Sequence, residues 1–257
     1  MKFKHNVVGP DFGHADIVSF DFGRAEISLV IPQEPDSQLG FIASQNQTVL
    51  PDEPNNHWST HPFGFRVFDL VSKSWSYIDE RTELRVAVNN FYLNLIELPE
   101  DMQEAVNSLS NQGFTEWLFQ FFRMMAVDGD VSLLDTDQGT QEMKRHSMPM
   151  SIEEIEHYGN GVLPWPMLTI RMPQGEDDED KYGPDYFIYI PLTERLFLYI
   201  DNSISMTSRN DSPISLSRSE IIQLKRDILM EVLANIRVTY TPEVLALINQ
   251  KNKSIGR

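Results

Sequence analysis

The run WPMLTIRMPQGEDDEDKYGPDYFIYIPLTERLFLYI, residues 165–200, decides how the rest of the chain is read. Aromatic and β-branched side chains favour strands, whereas Gly, Pro and Asp punctuate turns. Met167–Met172, Tyr186–Ile190 and Leu196–Ile200 are therefore expected to form an antiparallel meander at the centre of a sheet. The turn between the first two strands holds Glu176, Asp177, Asp178, Glu179 and Asp180 in succession. Adjacent like charges repel, so this turn is expected to project into water as a strongly negative tip on a dry scaffold.

The same pattern continues upstream. Ile17–Phe22 alternates apolar and polar residues, and Ala25–Pro32 reads as a second strand ending at proline, with a hairpin turn near Phe22–Arg24. Residues 33–62 are rich in Pro, Asn, Gln and Ser and read as a long loop with a short strand at Leu39–Ala43. Phe65–Val71 and Trp75–Ile78 suggest a hairpin through Ser72-Lys73-Ser74. The apolar run that follows, to Leu98, fits helix or strand equally by periodicity.

Helices are expected from Pro99, with Asn111-Gln112-Gly113 as C-cap, and from Thr115 to Ala126, with an apolar stripe of Trp117, Leu118, Phe121, Phe122 and Met125. Capping boxes at Ser151–Glu154 and Ser217–Glu220 open a short helix to about Tyr158 and a long one whose apolar face runs to Ile236. Beyond residue 201 a polar loop, Asn202–Ser215, is expected, and Thr241-Pro242 starts a final helix. The fold class is α+β: a meander-centred antiparallel sheet packed by C-terminal helices, with a helical, acidic middle segment. A single integrated domain over residues 1–257 is expected, with a two-lobed division near residue 145 as the alternative.

Composition narrows the chemistry. A chain of 257 residues that is 41% hydrophobic and 11% aromatic can bury a sizeable core. It has no cysteine, which excludes disulfide scaffolds, thiolate metal sites and thiol nucleophiles. No apolar stretch approaches the ~20 residues of a membrane span, and the first residues lack a signal-peptide pattern, so a cytoplasmic location is expected. The net charge is −17 and uneven: residues 97–185 carry 19 acidic and 5 basic side chains, whereas residues 202–257 carry 5 and 8. Such a balance disfavours nucleic acid and anionic membranes as direct partners and favours a basic protein.

Familiar motifs fail on context. Asp11-Phe12-Gly13 and Asp21-Phe22-Gly23 lack a glycine-rich loop and a catalytic loop before them, so kinase chemistry is excluded. His57 and His61 have helical metal-ligand spacing but lie between Pro54 and Pro62 without a zinc-protease glutamate. A calcium loop started at Asp128 puts Leu133 at the required glycine, and one started at Asp135 puts Thr140 there. Glu154 and His157 supply one of the two pairs that a diiron bundle needs. No metal, cofactor or catalytic residue is assigned.

In profile (acidic, cysteine-free and α+β) the chain resembles the cytoplasmic immunity proteins that neutralise bacterial toxins or secreted effectors; the likeness is one of type and carries no quotable motif. It implies a non-enzymatic inhibitor that occludes a basic site, with Glu176, Asp177, Asp178, Glu179, Asp180, Tyr182 and Trp58 as partner-binding residues. Trp165 and Tyr186 are further aromatic candidates, expected to be core. A hydrolase using paired carboxylates and a structural or assembly subunit are the alternatives.

Overall fold

The three apolar runs around the acidic turn pair as expected. In the computed structural model, which describes residues 7–32, 40–43, 49, 58–61, 64–100, 102, 106, 108–127, 129–159, 162–170, 184–206 and 217–255, strand β9 (Trp165–Ile170) pairs antiparallel with β10 (Asp185–Pro191). β10 pairs in turn with β11 (Leu196–Met206), placing Ile188 opposite both Met167 and Ile200. To this meander are added β8 (Glu156–Tyr158) beyond β9, and on the other side β7 (Arg85–Glu97), β6 (Arg66–Asp79) and β1 (Val7–Val8). The short strands β4 (Gly40–Ile42) and β5 (Ser59–Thr60) also pair with β6, giving a nine-stranded antiparallel sheet ordered β1-β6-β7-β11-β10-β9-β8 along its main path. A second sheet, ordered β12-β3-β2, is built from β2 (Ala15–Asp21), β3 (Ala25–Pro32) and β12 (Ile236–Tyr240).

Alternation along β10 explains why its sequence is apolar at nearly every position. Ile188 and Ile190 point into a core that includes Phe20 and Ile27 of the small sheet, Leu93 and Leu198 of the large one, and Leu229 and Leu233 of helix α3 (Arg218–Ala234). Tyr189 points to the opposite face, into a second core with Phe197, Leu168 and Phe114, Leu118 and Phe122 of helix α1 (Asn111–Ala126). A strand covered on both faces has no solvent side on which to place polar residues. Two further helices are α2 (Asp137–Arg145) and α4 (Pro242–Ile255). The α+β class and the central antiparallel meander are as expected.

Several local expectations give way. Ser72-Lys73-Ser74 is no turn: the three residues pair with Tyr92, Phe91 and Asn90 inside one 14-residue strand. The irregularities of this strand lie outside that triplet, as register shifts between Asp69 and Val71 and between Tyr77 and Ile78. The ambiguous run to Leu98 is strand β7. Gly113 does not end a helix but begins one, donating its N–H to the side chain of the N-cap Ser110 at 3.2 Å; of the preceding segment, Glu100, Met102 and Val106 are helical.

The box at Ser151 yields only a 3₁₀ turn, Ile152–Glu154, because Ser151 makes no side-chain cap and Glu154 instead accepts from the Met150 N–H at 2.8 Å. The chain then enters β8 rather than a helix. The box at Ser217 is complete, with side chain and backbone bonded reciprocally to Glu220. Ile236 belongs to β12, which turns back along β3 with Val238 opposite Ile27. Residues 202–206 continue β11 rather than beginning a loop.

Burial predicts where the fold is vulnerable. Ile188 is fully buried between the layers, whereas Ile17 is 71% exposed. Ile188→Ala should cost about 2–5 kcal/mol of unfolding free energy, and Ile17→Ala at most about 0.5 kcal/mol, measured by urea denaturation.

Candidate functional site

The residues expected to meet a partner divide into two groups. Glu176, Asp177, Asp178, Glu179, Asp180 and Tyr182 lie outside the described residues. Trp58 is described, and its indole is engaged: it lies 5.5 Å from the Phe68 ring, half-buried against the inner core, with the Arg66 guanidinium 4.9 Å above it. Tyr186 is buried in the core and Trp165 packs against it. His57 lies outside the described residues, and among those described no cluster of three or more His, Asp or Glu side chains has the arrangement of a metal site.

Much of the negative charge in the described part of residues 97–185 is used locally. Glu97, almost fully buried, takes Arg66 Nε at 2.6 Å on one oxygen and Arg195 on the other. Asp130 accepts from both the N–H and the hydroxyl of Ser132, which holds its carboxyl below the usual range. Asp135 pairs with Arg123 at 2.6 Å, Glu142 with Arg145 at 3.6 Å and Glu156 with Arg226 at 2.5 Å. Asp137 sits in the first turn of α2 behind the N-cap Thr136, where its charge complements the helix dipole. These carboxylates shape turns, caps and ion pairs.

A different site emerges from the alternation of β10 and β11. Their odd-numbered residues (Asp185, Phe187 and Tyr189; Phe197, Tyr199, Asp201 and Ser203) face away from the inner core and floor a cleft of about 480 Å³. Helix α1 walls it with Trp117, Phe121, Phe122 and Met125, and β7 contributes Asn94 and Ile96. The rings interlock: Trp117 stacks on Phe121 at 5.4 Å, Phe65 meets Trp117 edge-on at 6.1 Å, and Phe187 stacks parallel on Tyr199 at 5.9 Å. Tyr189 lies 5.2 Å from Tyr199, and burial pushes the phenols of both upward, so both remain neutral donors.

Two carboxylates stand in this aromatic setting. Asp201 is opposite Phe187 in the ladder, so Asp185, two residues earlier on the same face, is its diagonal neighbour on the adjacent strand. Burial, reinforced by the charge of Asp185, pushes the Asp201 carboxyl up to about 6. Its Oδ1 is enclosed and has no hydrogen-bond partner. Asp185 does have one: the buried Lys225 of α3 brings Nζ to 3.4 Å of its Oδ1. Burial pulls the Lys225 ammonium down, and the Asp185 charge partly restores it.

Sequence reading did not single out this pair, because 38 acidic residues offer many pairs. The available signal was positional: Asp185 opens β10 and Asp201 follows the aromatic start of β11, at spacings that place them on one face once the strands pair. Compared with protein-family models, curated proteins and solved structures, the chain matches none significantly.

The environment of Asp201 fixes the sign of a pH effect. Between its ordinary 3.8 and about 6 the folded state holds a proton that the unfolded chain has released, so this group lowers stability as pH rises through that window. Asp201→Asn should therefore be more stable than the parent at about pH 8, by about 1–2 kcal/mol after allowing for solvent screening of a partly exposed group. In urea denaturation the gain should shrink as pH falls below about 5. A pH-independent difference would show that Asp201 titrates normally.

Proposed function

We propose that this chain is a non-enzymatic acidic binding protein that occludes a basic site on another protein, the role that cytoplasmic immunity proteins play against toxins and secreted effectors. The observation that carries the reading is the charge balance. Acidic side chains outnumber basic ones 38 to 21, and several described arginines are themselves engaged: Arg24 with Glu194, Arg81 with Asp79, Arg123 with Asp135, Arg226 with Glu156. Internal pairing thus occupies cations, two of them on Glu97 alone, and leaves a surplus of carboxylate open to an external cation. Complementary charge accelerates encounter and selects against acidic competitors. The cleft supports binding over turnover, since its lining is largely aromatic and aliphatic and one of its two carboxylates is already held by Lys225.

One observation favours a second reading, a carboxylate-dependent hydrolase: a carboxyl titrating at about 6 beside another carboxylate is suited to general acid–base work near neutrality. Loss of turnover in a folded Asp201→Asn variant would establish that reading and end the first.

The binding reading is tested with the product of the neighbouring reading frame. The two proteins should co-purify at low salt, and their association should slow by about tenfold or more between about 0.05 and 0.5 M salt as charge is screened. Changing Glu176–Asp180 together to Gln and Asn should slow association at low salt while leaving the melting temperature unchanged. A neutral or acidic partner, or an on-rate indifferent to salt, overturns the proposal.

A further inference from the structure

On the reading of the chain as a binder of a basic protein, we infer that the cleft between α1 and the outer face of β10 and β11 is the partner's anchor. It receives one lysine or arginine side chain against Asp201 and Asp185, with a neighbouring apolar side chain against Trp117 and Phe121.

The charge inventory of the cleft floor argues for one cation. Asp185 and Asp201 bring two carboxylates to adjacent positions, and Lys225 brings one ammonium, placed on Asp185. Among the described residues nothing answers Asp201, whose enclosed Oδ1 lacks a hydrogen-bond donor. An unpaired carboxylate in such surroundings loses hydration without recovering it, so a donor carrying positive charge gains most by entering. The tyrosine and phenylalanine faces at the floor add cation–π attraction, which strengthens when water is excluded.

Size argues for a second side chain. About 480 Å³ falls within the roughly 300–1,000 Å³ of pockets that hold whole small ligands, more space than one aliphatic stem requires. The Trp117–Phe121 stack offers the remaining volume an apolar wall. Aromatic and arginine anchors seated in desolvated pockets dominate protein–protein affinity, and this cleft provides a place for both.

The test uses N-acetyl-Phe-Arg-amide, its citrulline counterpart, which keeps the shape but not the charge, and free phenethylamine. Each is titrated into the full chain while tryptophan fluorescence is followed, with Trp117→Phe identifying the signal that comes from the cleft. The arginine peptide is expected to saturate the signal at least about tenfold more tightly than the citrulline peptide, and Asp201→Asn to erase that preference while melting as a folded protein. Ile17→Ala, at an exposed position of β2 outside the cleft, serves as a folded control that retains the preference. Equal binding of the two peptides, no binding of either, or an unaltered preference in Asp201→Asn overturns the inference. Phenethylamine binding as tightly as the peptide also overturns it, making the cleft a site for a free amine. If the cleft fails while association with the basic partner remains salt-dependent, only the anchor is lost; if the peptides bind but the natural partner is not basic, the proposed function is lost and the cleft stands.

Discussion

Coverage of the β10–β11 pair on both faces is the constraint from which the rest follows. One face of Ile188, Ile190, Leu198 and Ile200 must be closed by the small sheet and α3, and the other, with Tyr189 and Phe197, by α1. A single layer could satisfy only one of these faces. The chain therefore needs its first strands, contributed by residues 15–32, and its last long helix on the same side of a sheet made mostly from the middle. Strand β12 joins these distant parts, since Ile236 immediately follows α3 and pairs with Leu29. The sequence-distant ends are thereby bound to one core, with contacts whose closure cost is met only when all three elements are present.

The outer face is closed less completely. Helix α1 covers the part of the sheet nearest Phe197 and Leu168, and the cleft lies between its aromatic flank and the stretch of β10 and β11 that carries Asp185 and Asp201. The aromatic rings do two jobs there. They fill volume that a second helix would otherwise occupy, and they leave faces and edges available to something else. Met125 on the same flank is 37% exposed, so the apolar wall continues to the surface. An exposed apolar surface continuous with a cavity marks a contact site more often than does a scattered hydrophobic residue.

What could be read from the residues followed how locally each feature is determined. The meander was legible because strand chemistry, turn chemistry and hydrophobicity agree over residues 165–200. The long helix was legible because Ser217 and Glu220 satisfy each other within one turn. The features that misled are those in which a local signal is overruled by distant pairing. Ser72-Lys73-Ser74 looks like a turn until Tyr92, Phe91 and Asn90 supply its ladder. Gly113 looks like a helix end until Ser110 caps the helix from before it.

Ile236 fits a helical face and also fits a strand, and only its pairing with Leu29 separates the two. The candidate site was the least legible part, because Asp201 is distinguished from other acidic residues by its neighbours across the sheet. Net charge gave an expectation about the class of partner but no place for it, and several of the carboxylates behind that charge are occupied with Arg66, Arg123, Arg195 and Arg226.

Unsatisfied polar groups mark where the fold departs from what stability alone would choose. Asp201 faces the cleft with an enclosed, unpartnered oxygen, and the next residue, Asn202, faces the inner core with both amide atoms buried and unpartnered. Asn89, diagonal to Asn202 on β7, is in the same condition. Each such group costs on the order of 1–3 kcal/mol relative to a matched apolar side chain. On β7 and β11 such groups lie together on both faces of one short stretch, while the other end of the same strands is packed with leucine and isoleucine, the pattern expected where local rules yield to another demand. On the outer face, in the proposed anchor, that demand is a carboxylate left open to a cation. A group already satisfied internally would contribute little on binding, whereas one left unsatisfied recovers its cost when a partner arrives.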